Sequence, residues 1–482
     1  MSARQCLKRL HLDLYRKDLR YISPATEAAF EAGHRVGAIA RELYGTDAAA
    51  FISLAGGMAH ALRKTARLLR EGPQFPIFEA TVRHGGVLVR IDLLLPDGDG
   101  WRIVEVKAST RVKDEYAFDC AVQSWVFQGA GHRLTGLFLA HVDNGFVYQG
   151  EGDYRGLLTE QDLSAEVEML LPAVPEWIRK ARLAAAPQEP LVAVGAQCVK
   201  PYECPFLGYC WPSDTEYPVQ HLPRASKAKL GALIARGIAD LRQVPADELT
   251  DKQLRVQRVS RAGAAERLPG AQRFADALAY PRYYLDFETI APAIPIWAGT
   301  RPYEPLPIQW SCHFEASPGQ LGHADFLDLT GDPPMRRLAE SLIRVLGTTG
   351  PVLMYTSYER QVIGRLIERF PDLAVPLGAI IERLVDLATA TEQNYYHPQM
   401  AGSWSLKAVL PCVAPDMNYS DLEGIQEGTG ASEGYLEAID PVTSDDRKQE
   451  LRGQLLRYCK FDTAAMVRLL AFLGSASKEE QG

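Results

Sequence analysis

The sequence predicts a multidomain α/β protein, and three observations carry that expectation. The chain has 482 residues, more than one hydrophobic core usually organises. Two separate stretches open with the two-residue alternation of strands and pass into the longer period of helices, one across residues 77–130 and one from Tyr280 onward. Between them lies a segment of short helical patterns, so block boundaries are expected at 1–215, 216–278 and 279–482. With 47% apolar and 23% charged residues, the composition is that of a globular protein and excludes a disordered or fibrous chain.

In the first block a helical N-terminal region precedes strands near 77–107. Val89-Arg90-Ile91-Asp92 alternates as a strand does, Asp97-Gly98-Asp99-Gly100 has the composition of a tight turn, and Trp101 to Lys107 returns as the second arm of a hairpin. A helix is expected near 116–130, and the block ends in a cysteine-rich loop. The second block holds helical runs from Ala225 to Ala235 and from Ala246 to Leu254, with Lys and Arg on their polar faces. They suit a plain linker and a contact to a phosphate backbone equally. The third block begins with the apolar strand Tyr283-Tyr284-Leu285 and closes on a helix from Gln449 to Leu473. Asn418 to Ser444, rich in Gly, Ser and acids, reads as a long loop.

No apolar run reaches the ~18 residues of a membrane span, and the N-terminus lacks the apolar core of a signal peptide. A cytoplasmic protein without membrane contact is therefore expected. Its formal charge of −8 gives no bulk attraction to nucleic acid, although acids gathered at metal sites and bases along a groove are compatible with that balance. The cysteines, at positions 6, 120, 198, 204, 210, 312, 412 and 459, are expected to stay reduced, so a cluster of them points to metal or redox chemistry.

On the second hairpin arm Glu105 and Lys107 share a face, Asp92 from the first arm can meet them, and Glu79 on the preceding strand is a third carboxylate. Cutting a phosphodiester calls for a divalent cation such as Mg2+ or Mn2+, and hard carboxylate ligands hold such ions. Lys107 would orient the attacking water or stabilise developing charge. The order of these residues resembles the P-D-(D/E)-x-K nuclease superfamily, in the RecB-like branch that includes the CRISPR-adaptation exonucleases, across Cys6 to Cys210. The resemblance implies a restriction-endonuclease-type α/β core and metal ligation by Glu79, Asp92, Glu105 and the Val106 carbonyl. It also implies a DNA- or water-binding role for Gln123, since Gln123-Ser124-Trp125-Val126-Phe127 matches a Gln-x-x-x-Tyr motif with Phe in the last place. The branch carries a metal-ligating His in a Gly-x-x-x-His pattern, whereas Gly33 here is followed by Gly37. His34, three residues before that place, is either the substitute ligand or a packed or exposed side chain.

Cys198, Cys204 and Cys210 are evenly spaced, with Pro201, Pro205 and Gly208 bending the chain between them. Thiolates in this number suit iron–sulfur or zinc, and the C-x2-C pairs common at zinc are absent. RecB-like nucleases that carry a 4Fe-4S cluster take one further cysteine from upstream, so the resemblance implies Cys6 as the fourth ligand of a structural cluster. Cys120, Cys312, Cys412 and Cys459 stand apart and are expected to be packed.

Tyr284-Leu285-Asp286-Phe287-Glu288 sets two carboxylates on one face of a strand, and Tyr458 and Asp462 are four apart on a helix, hence on one face. The pair resembles the DEDD exonucleases of the ribonuclease-H fold, in the variety ending in Tyr-x-x-x-Asp. That likeness implies a ribonuclease-H-like domain holding two cations ~4 Å apart, with Tyr458 positioning the water. The family's third motif finds its nearest match in Tyr355 to Glu359, with Glu359 in place of Asp, and Asp386 is an additional acid for the same cleft. The joint order of the two halves resembles a bacterial family of unknown function, with Pro307 to Ser311 and Leu406-Lys407 typical of it. The expected activity is metal-dependent hydrolysis of single-stranded or unwound DNA, in repair, processing or defence. A nucleic-acid-binding scaffold with one decayed site and a ribonuclease with structural zinc remain open alternatives.

Overall fold

The computed structural model describes residues 2–45, 48–211 and 214–475. The chain divides into two units, Met1–Trp211 with Pro292–Glu304, and Pro212–Ala291 with Pro305–Gly482. Both are mixed α/β, and among the described residues no helix is long and apolar enough to cross a membrane.

The first unit is built on a six-stranded sheet in sequence order: β1 (Ala50–Phe51), β2 (Ile77–His84), β3 (Val87–Asp97), β4 (Gly100–Lys107), β5 (Leu134–Val142) and β6 (Leu158–Asp162). β2, β3 and β4 pair antiparallel, whereas β4 and β5 pair parallel. A parallel pair needs a crossover, and the helix Asp114–Gly129 supplies it. The β3–β4 turn closes with Asp97 opposite Gly100, and Gly98 takes φ 60°, a conformation glycine adopts without a Cβ clash. Along β4 the faces alternate. Trp101 and Ile103 pack with Cys120, Ala121 and Phe127 of the crossover helix, while Val104 packs on the other side with Ala40. Ala40 belongs to the helix Pro24–Tyr44, which starts where the Ser23 hydroxyl accepts the Thr26 N–H. Glu105 and Lys107 continue the Trp101–Ile103 side and so face the helix that carries Gln123.

The alternation breaks at one place. Phe78 and Ala80 are two residues apart yet join core clusters on opposite faces, and so do Ile91 and Leu93 across from them. Between Phe78 and Ala80 lies Glu79 at φ 58°, which inverts the pleat; the register Phe78↔Leu93, Ala80↔Ile91 sets it opposite Asp92. A non-glycine residue held there costs ~1–3 kcal/mol, and such strain persists where its surroundings over-determine it.

The second unit centres on a five-stranded sheet. β7 (Glu266–Arg267) and β13 (Tyr395–Tyr396) form a separate antiparallel pair, and β8 (Arg282–Ile290), β9 (Leu306–Glu315), β10 (Leu321–Leu327), β11 (Val352–Met354) and β12 (Leu384–Asp386) make the main sheet. Its order is β10-β9-β8-β11-β12, antiparallel on one side of β8 and parallel on the other. Across β8 and β9 packs the 30-residue helix Asp445–Gly474, capped by Ser444 and begun by Asp445 and Asp446, which complement the helix dipole. Leu451, Leu455, Tyr458, Cys459, Met466 and Leu469 lie on its buried stripe.

The division differs from the three blocks expected. Residues 216–278 belong to the second unit, and Pro292–Glu304 belongs to the first, where Tyr148 exchanges backbone hydrogen bonds with Gly299 and Thr300. The helical run placed at Ala246 to Leu254 is a turn, Ala246–Glu248, followed by the helix Asp251–Ala262. Thr250 caps that helix reciprocally with Gln253, and Gly263 ends it at φ 65°. Asn418 to Ser444 is no continuous loop: it holds the helix Gly428–Ile439, which buries Ala431, Gly434, Tyr435 and Ala438 at helical spacing. Its small residues lower helix propensity, and tertiary packing overrides them.

Candidate metal centres

β3 and β4 pair down to Leu93↔Val104, and one further step sets Asp92 opposite Glu105, where the ladder stops. There the Asp92 carboxylate replaces a backbone acceptor, taking the Val106 N–H at 2.8 Å. Glu105, 4% exposed, accepts from Lys107 Nζ at 2.6 Å on one oxygen and from Gln123 Nε2 at 2.7 Å on the other. The other amide atom of Gln123, Oε1, is buried without a hydrogen-bond partner. Burial pushes the Asp92 carboxyl well above its usual range, and the Glu105 charge adds to this, against the Val106 N–H and Lys107. Burial alone would lower the Lys107 ammonium, but Glu105, Asp119 and Asp92 raise it above its ordinary value. Asp119 lies 3.5 Å from Lys107 and was not anticipated; its signal is its place four residues before Gln123, on the same helix face.

Glu79 and His34 depart from expectation. The Glu79 carboxylate lies 3.0 Å from Arg90 and 3.9 Å from Arg41, so two guanidiniums already neutralise it. The His34 side chain is 79% exposed, with Glu31 3.8 Å away. It lies two residues, ~200° around the helix, from buried Val36, which turns it away from the sheet. A Cβ on Gly37 would instead meet Arg41 Nη1 at 3.7 Å, on the side from which Arg41 reaches Glu79.

Cys6, Cys198, Cys204 and Cys210 line one cavity of ≈ 20 Å³, with Lys8, Arg9, Leu12 and Phe206. All four are free thiols. The helix Leu7–Tyr15 follows Cys6, and the bends at 198–210 return the chain to it: Gln5 donates to the carbonyls of Gln197 at 2.7 Å and Tyr202 at 2.6 Å. Burial pushes the Cys210 thiol up to about 11, with Lys8 opposing and the other three cysteines adding. Four convergent, unpaired thiols beside two cations fit an anionic tetrathiolate centre.

In the second unit, Asp286 and Glu288 project from β8, Glu359 from the first turn of the helix Tyr358–Arg369, and Tyr458, Cys459 and Asp462 from the long helix. One ligand atom each from Asp286, Glu288 and Cys459 lies within 4.8 Å of the other two, and the Cys459 thiol donates to Asp286 Oδ2 at 3.4 Å. Cys459 is thus part of the cluster rather than merely packed. Burial raises Asp286 well above the carboxylate range, and Asp462, Glu288 and Glu359 raise it further. Glu288 is raised by burial and by Asp462. Burial likewise pushes Glu359 up to about 8 and Asp462 to about 6, the latter against a hydrogen bond from Tyr419 and the charge of Lys407. Glu359 is 3% exposed, and its Oε2 has no partner. Among the described residues no ion pair falls on these four acids.

Tyr419 and Lys407 had no assigned role in the sequence. The Tyr419 hydroxyl donates to Asp462 Oδ1, and Lys407 Nζ sits 5.0 Å from the Tyr419 ring and 5.7 Å from the Tyr458 ring while donating to the Gln426 carbonyl at 2.7 Å. Asp386 caps the helix Leu387–Asn394 through Thr389, a structural task, although its charge also bears on Glu359.

Residues 283–405 match a family described as a domain of unknown function (DUF2779). That span contains Asp286, Glu288, Glu359 and Asp386 and ends before Lys407, Tyr419, Tyr458 and Asp462. No curated protein and no solved structure matches the chain.

Proposed function

We propose that this protein is a divalent-metal-dependent nuclease, DNA being the favoured substrate, whose principal hydrolytic site lies in the second unit. The observation that carries the reading is the gathering there of four acids, Glu288 and Glu359 buried and Asp286 and Asp462 partly so, that raise one another and have no ion-pair partner among the described residues, an arrangement a cation would relieve. The strand order β10-β9-β8-β11-β12, with the long helix across β8, supports a ribonuclease-H-like fold. Asp286, Glu288, Glu359 and Asp462 would hold Mg2+ or Mn2+, which supplies charge stabilisation on both sides of the cleaved bond. Tyr458, kept protonated by burial and by the Asp462 charge, presents a hydroxyl beside them. Lys407 is placed to attract a phosphate.

A RecB-like core is supported in the first unit by Asp92 on the Val106 N–H and by Glu105 between Lys107 and Gln123. Gly37 and the Arg41–Glu79–Arg90 arrangement favour a weaker, DNA-holding role for this site. Cys6, Cys198, Cys204 and Cys210 would bind a 4Fe-4S cluster that staples the unit's two ends. Protein purified without air should be brown, with roughly four irons per chain. Colourless, zinc-containing protein would replace the cluster with zinc.

The deciding assay is degradation of end-labelled single-stranded DNA, duplex DNA and RNA with Mn2+, using wild type, Asp286→Ala and Asp92→Ala. Full cutting by Asp286→Ala removes the second site from the mechanism.

A further inference from the structure

We propose that Asp286, Glu288 and Cys459 form a site for a thiophilic divalent cation, Zn2+ foremost, which locks the second carboxylate cluster in an inactive state. The zinc site stands on the geometry, and only its inhibitory consequence rests on the nuclease reading. Cys459 is fully buried, one residue after Tyr458, and its ligand atom lies within 4.8 Å of those of Asp286 and Glu288. Around a tetrahedral zinc with bonds of ~2.0–2.3 Å, ligand atoms sit ~3.5 Å apart; Cys459 Sγ and Asp286 Oδ2 are already 3.4 Å apart, and the rest of the site needs to close by no more than about an ångström. Glu359 Oε2, on the helix Tyr358–Arg369, is also buried without a hydrogen-bond partner, but it lies outside the group of three.

The donor set decides which ion gains. Mg2+ takes six oxygens at short, near-octahedral distances and has no use for sulfur. Zinc accepts thiolate and carboxylate together in a tetrahedral shell. When it binds, a Zn–S bond forms, the S–H proton leaves to solvent, and no electron changes hands. A tetrahedral ion that takes the Cys459 thiolate commits Asp286 and Glu288 as well, and so denies both carboxylates to the octahedral Mg2+ that hydrolysis would use.

The test uses Cd2+ as a spectroscopic probe and Zn2+ in competition with a chromophoric chelator, both in excess Mg2+, on air-free protein with its cysteine cluster loaded. Wild type should show a thiolate-to-cadmium charge-transfer band that is missing from Cys459→Ser and present in Cys412→Ser. Zinc affinity should fall by roughly 10-fold or more in Cys459→Ser. Equal zinc affinities with no difference band would overturn the proposal. If Cys459→Ser does not fold, Asp286→Asn keeps the thiol and decides: loss of the cadmium band supports the site, and full retention overturns it. Zinc inhibition, normalised to each protein's zinc-free rate, should weaken in Cys459→Ser. Should no variant cut DNA at all, the nuclease reading fails while the spectroscopic difference still stands or falls on its own.

Discussion

At the first site each of three acids has a partner: Asp92 takes a backbone N–H at 2.8 Å, Glu105 sits between Lys107 and Gln123, and Glu79 sits between Arg90 and Arg41. In the second, the charges of Asp286, Glu288, Glu359 and Asp462 act on one another, and Lys407, whose charge acts on Glu288 and Asp462, gives its hydrogen bond to a carbonyl. The same residue types thus build a cluster that satisfies itself and one that does not. Burial and mutual repulsion make the charged forms of these acids costly, so the second cluster has the greater need of metal.

The largest expected effect is on cleavage. Asp286→Ala should lower Mn2+-dependent cutting by ~100-fold or more. Asp92→Ala should lower it by less than ~10-fold, under ~1.4 kcal/mol of barrier. The reverse ranking would break the comparison.

Next comes stability against pH. An acid whose folded pKa lies above its unfolded one stabilises the fold at low pH and loses that contribution as pH rises through the interval between the two. With Glu359 at about 8 and Asp462 at about 6, the melting temperature in EDTA should fall as pH climbs from the ordinary carboxylate range to about 8. Saturating Mn2+ should flatten that fall, and a pH-independent melt in EDTA would count against the repelling cluster.

The smallest effect belongs to Glu79→Gln. Its side chain is 24% exposed, so losing its ion pairs with Arg90 and Arg41 should shift stability by no more than ~1 kcal/mol in urea melts. A larger loss would mean that Glu79 is needed to hold its left-handed backbone.

Much of this arrangement was legible before any coordinates. Period-two alternation and a Gly98 turn locate the hairpin that brings Asp92 to Glu105. A four-residue spacing sets Tyr458 and Asp462 on one helix face. What stayed hidden depends on contacts distant in sequence or on packing. Arg41 reaches Glu79 across 38 positions, and nothing local marks the inverted pleat at Glu79. The helix Gly428–Ile439 is masked by its glycines, and with it the approach of Tyr419 to Asp462. Cys459 reads as an isolated thiol until β8 is laid against it.

Tyr458, Cys459 and Asp462 ride on one uninterrupted helix of 30 residues. Their azimuths are therefore locked together, and evolution cannot tune one without the rest by length change: a single residue inserted just after Leu455 would swing all three by ~100°. Point substitution is the only local freedom left to that wall of the cleft, whereas the β3–β4 hairpin can lengthen at its tip and leave Asp92 and Glu105 where they are.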